Sequence, residues 1–303
     1  MRTLVSVIMS TYNESESYIR TSVSSILKQT LSDLELIIVI DNPENEAAVK
    51  AVNDFAAEDS RVKALCNERN LGLVRSLNRA ITAAAGTILA RMDADDIAFP
   101  QRLEKQLAFM QQEQFDIVGA VTQYIDENGK PTGGSHPYRT EEQLKRQLQF
   151  ENCLCHPTWM LRREVYEQLN GYRDIDSCED YDFLLRALEK GYRLGMVDEV
   201  LLYYRYNTNG ISQSREFRQF LAFSYLSAHR FSPSAVSEEE IKNYVNNNMT
   251  TNNEENYARA KSLFLQSKEQ TGKLSEAYLL LKAGCASRFF GKRLLNSLRK
   301  RGI

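Results

Sequence analysis

No stretch of this 303-residue chain approaches the roughly 18 consecutive apolar residues that a membrane-spanning helix requires. Any membrane contact is therefore expected to be peripheral. The apolar segment near the start, Leu4, Val5, Val7, Ile8 and Met9, is too short for a signal sequence. It leads directly into Thr11-Tyr12-Asn13-Glu14 and reads as a first strand. Cysteine is sparse and odd in number: Cys66, Cys153, Cys155, Cys178 and Cys285 are scattered, which argues against a disulfide framework and for reduced thiols in the cytosol. Cys153-Leu154-Cys155-His156 has no second pair at metal-ligand spacing, so incidental thiols are favoured over a zinc site. An excess of either charge is also missing, with Lys+Arg 38 against Asp+Glu 40, and no nucleic-acid partner is expected. Acidic residues are absent after Glu276, however, which leaves Lys282, Arg288, Lys292, Arg293, Arg299, Lys300 and Arg301 as a basic tail. Internal repeats are absent. What is present is 43% hydrophobic residues, enough for one large core or one core with a helical annex.

The apolar pattern alternates between strand and helix. Strands are expected at Val5 to Ser10, Glu35 to Ile40, Val62 to Cys66 and Thr87 to Arg91, with helices through Tyr18-Leu27, Ala47-Phe55 and Leu73-Ala84 between them. Such βαβ units build a parallel sheet, whose ligands sit at the carboxyl ends of the strands. The loops Ser10-Glu14, Asp41-Glu46 and Asp93-Asp96 should converge there. Beyond Ala120 the pattern loosens, with a hairpin-like turn at Asp126-Lys130 and a flexible loop at Gly133-Gly134-Ser135. Helices are expected at Glu141-Phe150, at Arg163-Leu169 and just after Cys178-Glu179-Asp180, and a strand over Val197 to Tyr206. From about Phe217 the chain reads as helical, with the polar stretch Asn243-Asn256 as a solvated loop or frayed helix ends.

The densest chemistry follows the Ile88-Arg91 strand, where Asp93-Ala94-Asp95-Asp96 crowds three carboxylates together. Like charges this close raise one another's pKa values, so the cluster makes sense chiefly around a cation, such as a divalent ion holding a diphosphate. The plainer reading is an acidic turn before the helix at Pro100-Gln101-Arg102, with Asp96 as its cap.

Ser10-Thr11-Tyr12-Asn13-Glu14, Asp41, Asn67-Glu68-Arg69-Asn70-Leu71-Gly72-Leu73 with Asn78, Asp93-Ala94-Asp95-Asp96 and Glu179-Asp180-Tyr181 arrive in that order. Over about residues 3 to 210 this resembles the inverting family 2 glycosyltransferases, particularly bacterial enzymes of polysaccharide and O-antigen assembly. The resemblance implies an α/β GT-A fold over residues 1–212, a Rossmann-like mixed sheet flanked by helices, followed by a helical region over 213–303. It implies that Thr11, Tyr12, Glu14 and Asp41 clasp the nucleotide, although Ile40-Asp41-Asn42-Pro43 departs from the common Asp-Asp-Gly-Ser pattern. Asn70, Gly72 and Asn78 would line the nucleotide-sugar cleft; a helix start with Asn70 as cap and Gly72 in the first turn is compatible with that. Arg91 would lie against the diphosphate or pair with a neighbouring Asp. Asp93 and Asp95 match the metal motif, one carboxylate serving the ribose and the other Mn2+ or Mg2+. Asp180 would be the general base and Glu179 an acceptor-orienting neighbour, against a reading of both as helix caps. His156 and Trp159 would face the acceptor, with Trp159 as a core residue the alternative, and Arg205 would close over the diphosphate.

The activity implied is transfer of a hexose from a UDP-sugar to a saccharide acceptor carried on a polyprenyl diphosphate, at the inner face of the cytoplasmic membrane. The tail suits that setting: Phe289-Phe290, Leu294, Leu295 and Leu298 interleave with basic residues as an amphipathic helix for an anionic surface, or one docked on the protein. A nucleotidyltransferase would want a Gly-rich basic loop after the first strand, which Ser10-Glu14 is not. A non-catalytic glycan-binding protein would be expected to lose one of Asp93, Asp95 and Asp180, all of which are present.

Overall fold

The computed structural model describes residues 5–138, 140–175, 177–206, 216–268, 280, 282–283, 285–287 and 289–291. Its contacts divide into two compact units: residues 1–148, 152–174 and 179–210 form one, and residues 149–151, 175–178 and 211–303 the other.

The first unit opens with β1 (Val5–Thr11), α1 (Glu16–Leu27), β2 (Leu34–Ile40), α2 (Glu46–Glu58), β3 (Val62–Cys66), α3 (Leu73–Ala83) and β4 (Ile88–Asp93). Strand β2 is buried along its whole length, as a strand covered on both faces must be. Ser15 starts α1 by accepting from the Tyr18 N–H at 3.3 Å, and Ile19, Val23 and Ile26 then recur at helical spacing on its buried face. Parallel pairing sets Thr11 beside Ile40 and Ser10 beside Asp93. Three loops therefore leave the sheet at one edge, as the βαβ pattern implies.

The unit continues with β5 (Ile97–Ala98), α4 (Arg102–Glu113), β6 (Ile117–Ile125), β7 (Pro131–Gly134), α5 (Glu141–Leu148), a 3-10 turn (His156–Thr158), β8 (Met160–Arg162), α6 (Arg163–Gln168), α7 (Glu179–Glu189) and β9 (Leu194–Arg205). The strand order is β3-β2-β1-β4-β8-β6-β9-β5, with β7 on β6. Strand β8 runs antiparallel to both β4 and β6, which makes the sheet mixed. Two expectations change here. The weak pattern after Ala120 lies within β6, a strand buried as far as Thr122 that has no polar face to alternate. Gly133 and Gly134, expected as flexible loop, pair with Tyr124 and Gln123 as strand β7. The turn between them is built by Asp126, whose Oδ1 accepts from the Asn128 and Lys130 N–H groups at 2.9 and 2.8 Å.

The second unit contains α8 (Glu216–Ala228), α9 (Glu238–Asn248) and α10 (Thr251–Lys268). The asparagine-rich stretch is mostly helix rather than loop. Its side chains serve the helix ends: Asn248 Nδ2 donates to the Tyr244 carbonyl at 2.8 Å and Asn253 Nδ2 to the Asn248 carbonyl at 2.9 Å. Phe217, Tyr257, Phe289 and Phe290 form a ring cluster with centroids 4.8 to 5.6 Å apart. Phe289 and Phe290 are buried in it, so these two are taken by protein rather than facing a membrane. Arg288 and everything from Lys292 onward lie outside the described residues. No described helix is long and apolar enough to cross a membrane.

Candidate active site

The loop after β1 is held by Glu14, whose Oε2 accepts from Thr11 Oγ1 at 2.7 Å and from the Tyr12 N–H at 2.6 Å. Thr11 is buried by this, while the Tyr12 ring stands exposed at the sheet edge. A flat exposed ring here is free to stack on a base. At the end of β2, Asp41 is buried and fully engaged. Its Oδ1 accepts from Asn67 Nδ2 at 2.7 Å and the Leu71 N–H at 2.8 Å, and its Oδ2 accepts from the Gly72 N–H at 2.9 Å. Asn70 Oδ1 shares that Gly72 N–H at 2.9 Å. Gly72 is the N-cap of α3 rather than part of its first turn, and its φ of 90° is why glycine stands there. Asp41 thus shapes the 67–72 loop before it meets any ligand. Asn78 has its amide engaged within the protein, making both of its bonds to the backbone of Tyr172 at 2.9 and 3.0 Å.

The acidic loop between β4 and β5 gathers Asp93, Asp95 and Asp96 so that one oxygen of each lies within 4.8 Å of the others. Two carboxylate charges at that separation repel by roughly 3 kcal/mol at an effective dielectric of 20. Burial, reinforced by the Asp93 and Glu14 charges, pushes the Asp95 carboxyl up to about 7. Burial, then the Asp93 and Asp95 charges, raise Asp96 as well. Asp96 is not a helix cap. It is buried, its Oδ1 accepts from the Arg205 N–H at 2.8 Å, and its Oδ2 is buried without a partner. Helix α4 is instead entered at Gln101, with no side-chain cap. Three hard oxygen donors, one of them orphaned, fit a divalent cation. Arg91 is 2% exposed and pairs with Asp93 through Nη1, the second of its two anticipated uses. Burial opposes its charge, but Asp93, Tyr172 and Asp96 outweigh that and raise its pKa.

At the start of α7, Glu179 is buried and Asp180 half-buried. Asp180 Oδ2 accepts from Asn152 Nδ2 at 2.6 Å and Oδ1 from the Tyr181 N–H at 2.7 Å. Burial, then the Asp180 charge, pushes Glu179 up to about 8, and burial raises Asp180 too. Two adjacent carboxyls with elevated pKa values can hold and release a proton near neutral pH. Asp182, two residues on and fully buried, is held instead by Arg173 and Arg186 and serves the packing of the helix.

The acceptor assignments do not survive as drawn. Trp159 has no exposed surface, and its Nε1 donates to the Leu154 carbonyl at 2.9 Å. It is core. His156 is buried, with Nε2 2.7 Å from the Tyr172 hydroxyl and its ring 4.6 Å from that of Trp159. Burial and the Arg91 charge hold its pKa well below the usual imidazole range, so it stays neutral. Arg205 directs its guanidinium to the protein's own carbonyls: Nε donates to the Asp95 carbonyl at 2.9 Å and Nη1 to the Asp126 and Glu127 carbonyls at 2.9 and 3.0 Å. Sequence reasoning misses Asn67 and Asn152, which position Asp41 and Asp180. Asn67 stands at the head of the Asn67-Leu73 run, a usable signal, whereas nothing local marks Asn152, 28 residues from its partner. It also misses Arg102, a buried guanidinium beneath the acidic loop whose Nη2 donates to the Arg91 carbonyl at 2.6 Å. Burial lowers its pKa to about 10.

Residues 6–169 match the sequence profile of Glycosyl transferase family 2. An uncharacterized glycosyltransferase of Methanocaldococcus jannaschii is 37% identical over 224 residues, 73% of this chain and 77% of that protein. The O-antigen biosynthesis glycosyltransferase WbnJ of Escherichia coli is 35% identical over 213 residues, 70% of this chain and 83% of the relative. Among solved structures, residues 1–349 of S. aureus TarS in complex with UDP-GlcNAc superpose with a TM-score of 0.64 at 20% identity, covering 93% of this chain and 80% of that one. A mannosyltransferase from Pyrobaculum calidifontis in complex with GDP-Man and Mn2+ gives 0.61 at 17% identity, covering 99% and 87%. The structural likenesses speak for the GT-A fold; the sequence matches make this chain a member of glycosyltransferase family 2.

Proposed function

We propose that this transferase is metal-dependent and inverting, moving a hexose from a UDP-sugar to a saccharide acceptor carried on a lipid diphosphate, in the assembly of a cell-surface polysaccharide. One observation carries the reading: two groups of crowded carboxyls, Asp93-Asp95-Asp96 at the end of β4 and Glu179-Asp180 on α7, with the Asp93 charge among the causes that raise Glu179. Asp95 and Asp93 would hold Mn2+ or Mg2+, which supplies positive charge for the departing diphosphate. Thr11, Glu14 and the Asp41-shaped loop support the nucleotide, with Tyr12 as the stacking face. Asp180 takes the proton of the acceptor hydroxyl as its oxygen bonds to the sugar C1 and the bond from C1 to the diphosphate oxygen breaks. Attack from the face opposite the diphosphate inverts the anomeric carbon. Glu179, protonated at neutral pH by its burial, donates to the acceptor and orients it.

The cell-surface polysaccharide choice rests on the O-antigen relative, and the UDP choice on the UDP-GlcNAc bound by the TarS structure. The basic tail supports docking at an anionic inner leaflet. Asp180→Asn tests the core of the reading. Transfer from UDP-sugars should fall by several orders of magnitude while UDP still binds with Mn2+ in calorimetry; retained turnover removes Asp180 from the role. Deleting the residues after Gly291, which spares the buried Phe289 and Phe290, should abolish flotation with anionic liposomes, and unchanged flotation ends the membrane assignment.

A further inference from the structure

Arg205 ties together two pieces of the first unit that sequence keeps far apart. Its backbone N–H donates to Asp96 Oδ1 at 2.8 Å and its Nε to the Asp95 carbonyl at 2.9 Å. Its Nη1 is shared between the Asp126 and Glu127 carbonyls of the β6–β7 turn, at 2.9 and 3.0 Å. The guanidinium carbon lies 4.2 Å from the centre of the Tyr18 ring, and the Tyr18 hydroxyl donates to that same Glu127 carbonyl at 2.9 Å. The residue is 7% exposed. A planar, permanently charged group with donors on two edges suits this task, which a lysine ammonium cannot copy.

We propose that Arg205 is a positioning residue for the metal site: its guanidinium is a brace that fixes the Asp95 backbone against the β6–β7 hairpin, so that the acidic loop is preformed for its cation. This rests on the acidic loop being the cation site argued above. Residues that orient a metal's ligands typically change metal affinity by 10- to 100-fold when lost, and the brace acts at that level. The guanidinium orients the loop through main-chain carbonyls, while the bond to Asp96 is made by the Arg205 backbone N–H.

The test is Mn2+ binding to the full chain without donor, read by the EPR signal of unbound Mn2+, alongside donor KM at saturating metal. Wild type should bind Mn2+; if it binds none, the metal reading and this inference fall together. Arg205→Ala should weaken Mn2+ affinity by about tenfold or more, with donor KM at saturating metal within about twofold, and Arg205→Lys should recover little of the loss. A raised donor KM with unchanged Mn2+ affinity would make Arg205 a phosphate ligand and overturn the brace. A lowered melting temperature with unchanged Mn2+ affinity would reduce it to packing and overturn it equally. Should Arg205→Ala fail to fold, Tyr18→Leu removes the stacking face and the Glu127 bond while keeping the guanidinium. It should weaken Mn2+ binding about threefold, and no change there defeats the proposal.

Discussion

Asp41 and the Asp93-Asp96 loop leave the same edge of the same sheet, yet their carboxylates live in opposite conditions. Asp41 accepts three hydrogen bonds and is spent on shaping the 67–72 loop. The acidic loop has three carboxylates in one small volume and a buried Asp96 oxygen with no partner. A satisfied carboxylate builds structure; a starved one stores electrostatic free energy that a bound cation releases. The contrast separates architecture from chemistry at positions that composition alone makes equivalent.

The sharpest way to break that contrast is Asp95→Asn. Transfer should fall by about a thousandfold, the scale of a lost charge-stabilising group, while the melting temperature without metal should rise because repulsion is relieved. A fall in both would mean that Asp95 is structural like Asp41. Asp41→Ala should behave inversely, costing about 2–4 kcal/mol in urea unfolding by orphaning the Leu71 and Gly72 N–H groups and the Asn67 amide. Stability unchanged by that substitution would erase the distinction from the other side. Asn152→Ala extends the comparison to the dyad. Its amide favours ionised Asp180, so its loss raises that pKa further. Because the base works deprotonated, the acid limb of kcat/KM should then move to higher pH, with a several-fold loss at pH 7. Movement to lower pH would contradict the assigned bond. The smallest effect is expected of Trp159→Phe, about 1 kcal/mol for the lost bond to the Leu154 carbonyl, with acceptor KM unchanged. A raised acceptor KM would return Trp159 to the site.

Much of the parallel half was legible from sequence because its determinants are local: apolar runs, helix spacing, and acids placed directly after strands β1, β2 and β4. The central insertion was not. Strand β8 is only three residues long and is defined by its antiparallel partners, β4 and β6, not by its own pattern. The same reason separates the residues that the sequence could place at the strand ends from those whose partners it could not foresee. Asp93 and Asp95 follow from strand-end position, whereas the fates of Asn78, Trp159 and Arg205 depend on partners five to 110 residues away. The Asn-rich stretch was open between loop and helix ends for another reason, since asparagine at helix ends and asparagine in loops look identical in composition.

The Asn78 amide and the Tyr172 backbone form a two-bond ladder in which a side chain replaces a neighbouring strand. Gly171 beside it, with φ 72°, leaves no room for a side chain, since an added Cβ would come 2.6 Å from Asn78 Oδ1. This peg gives the enzyme a natural splice point. A segment exchanged after Tyr172 would inherit a fixed origin, because the two bonds that anchor it are made by main-chain groups already in place.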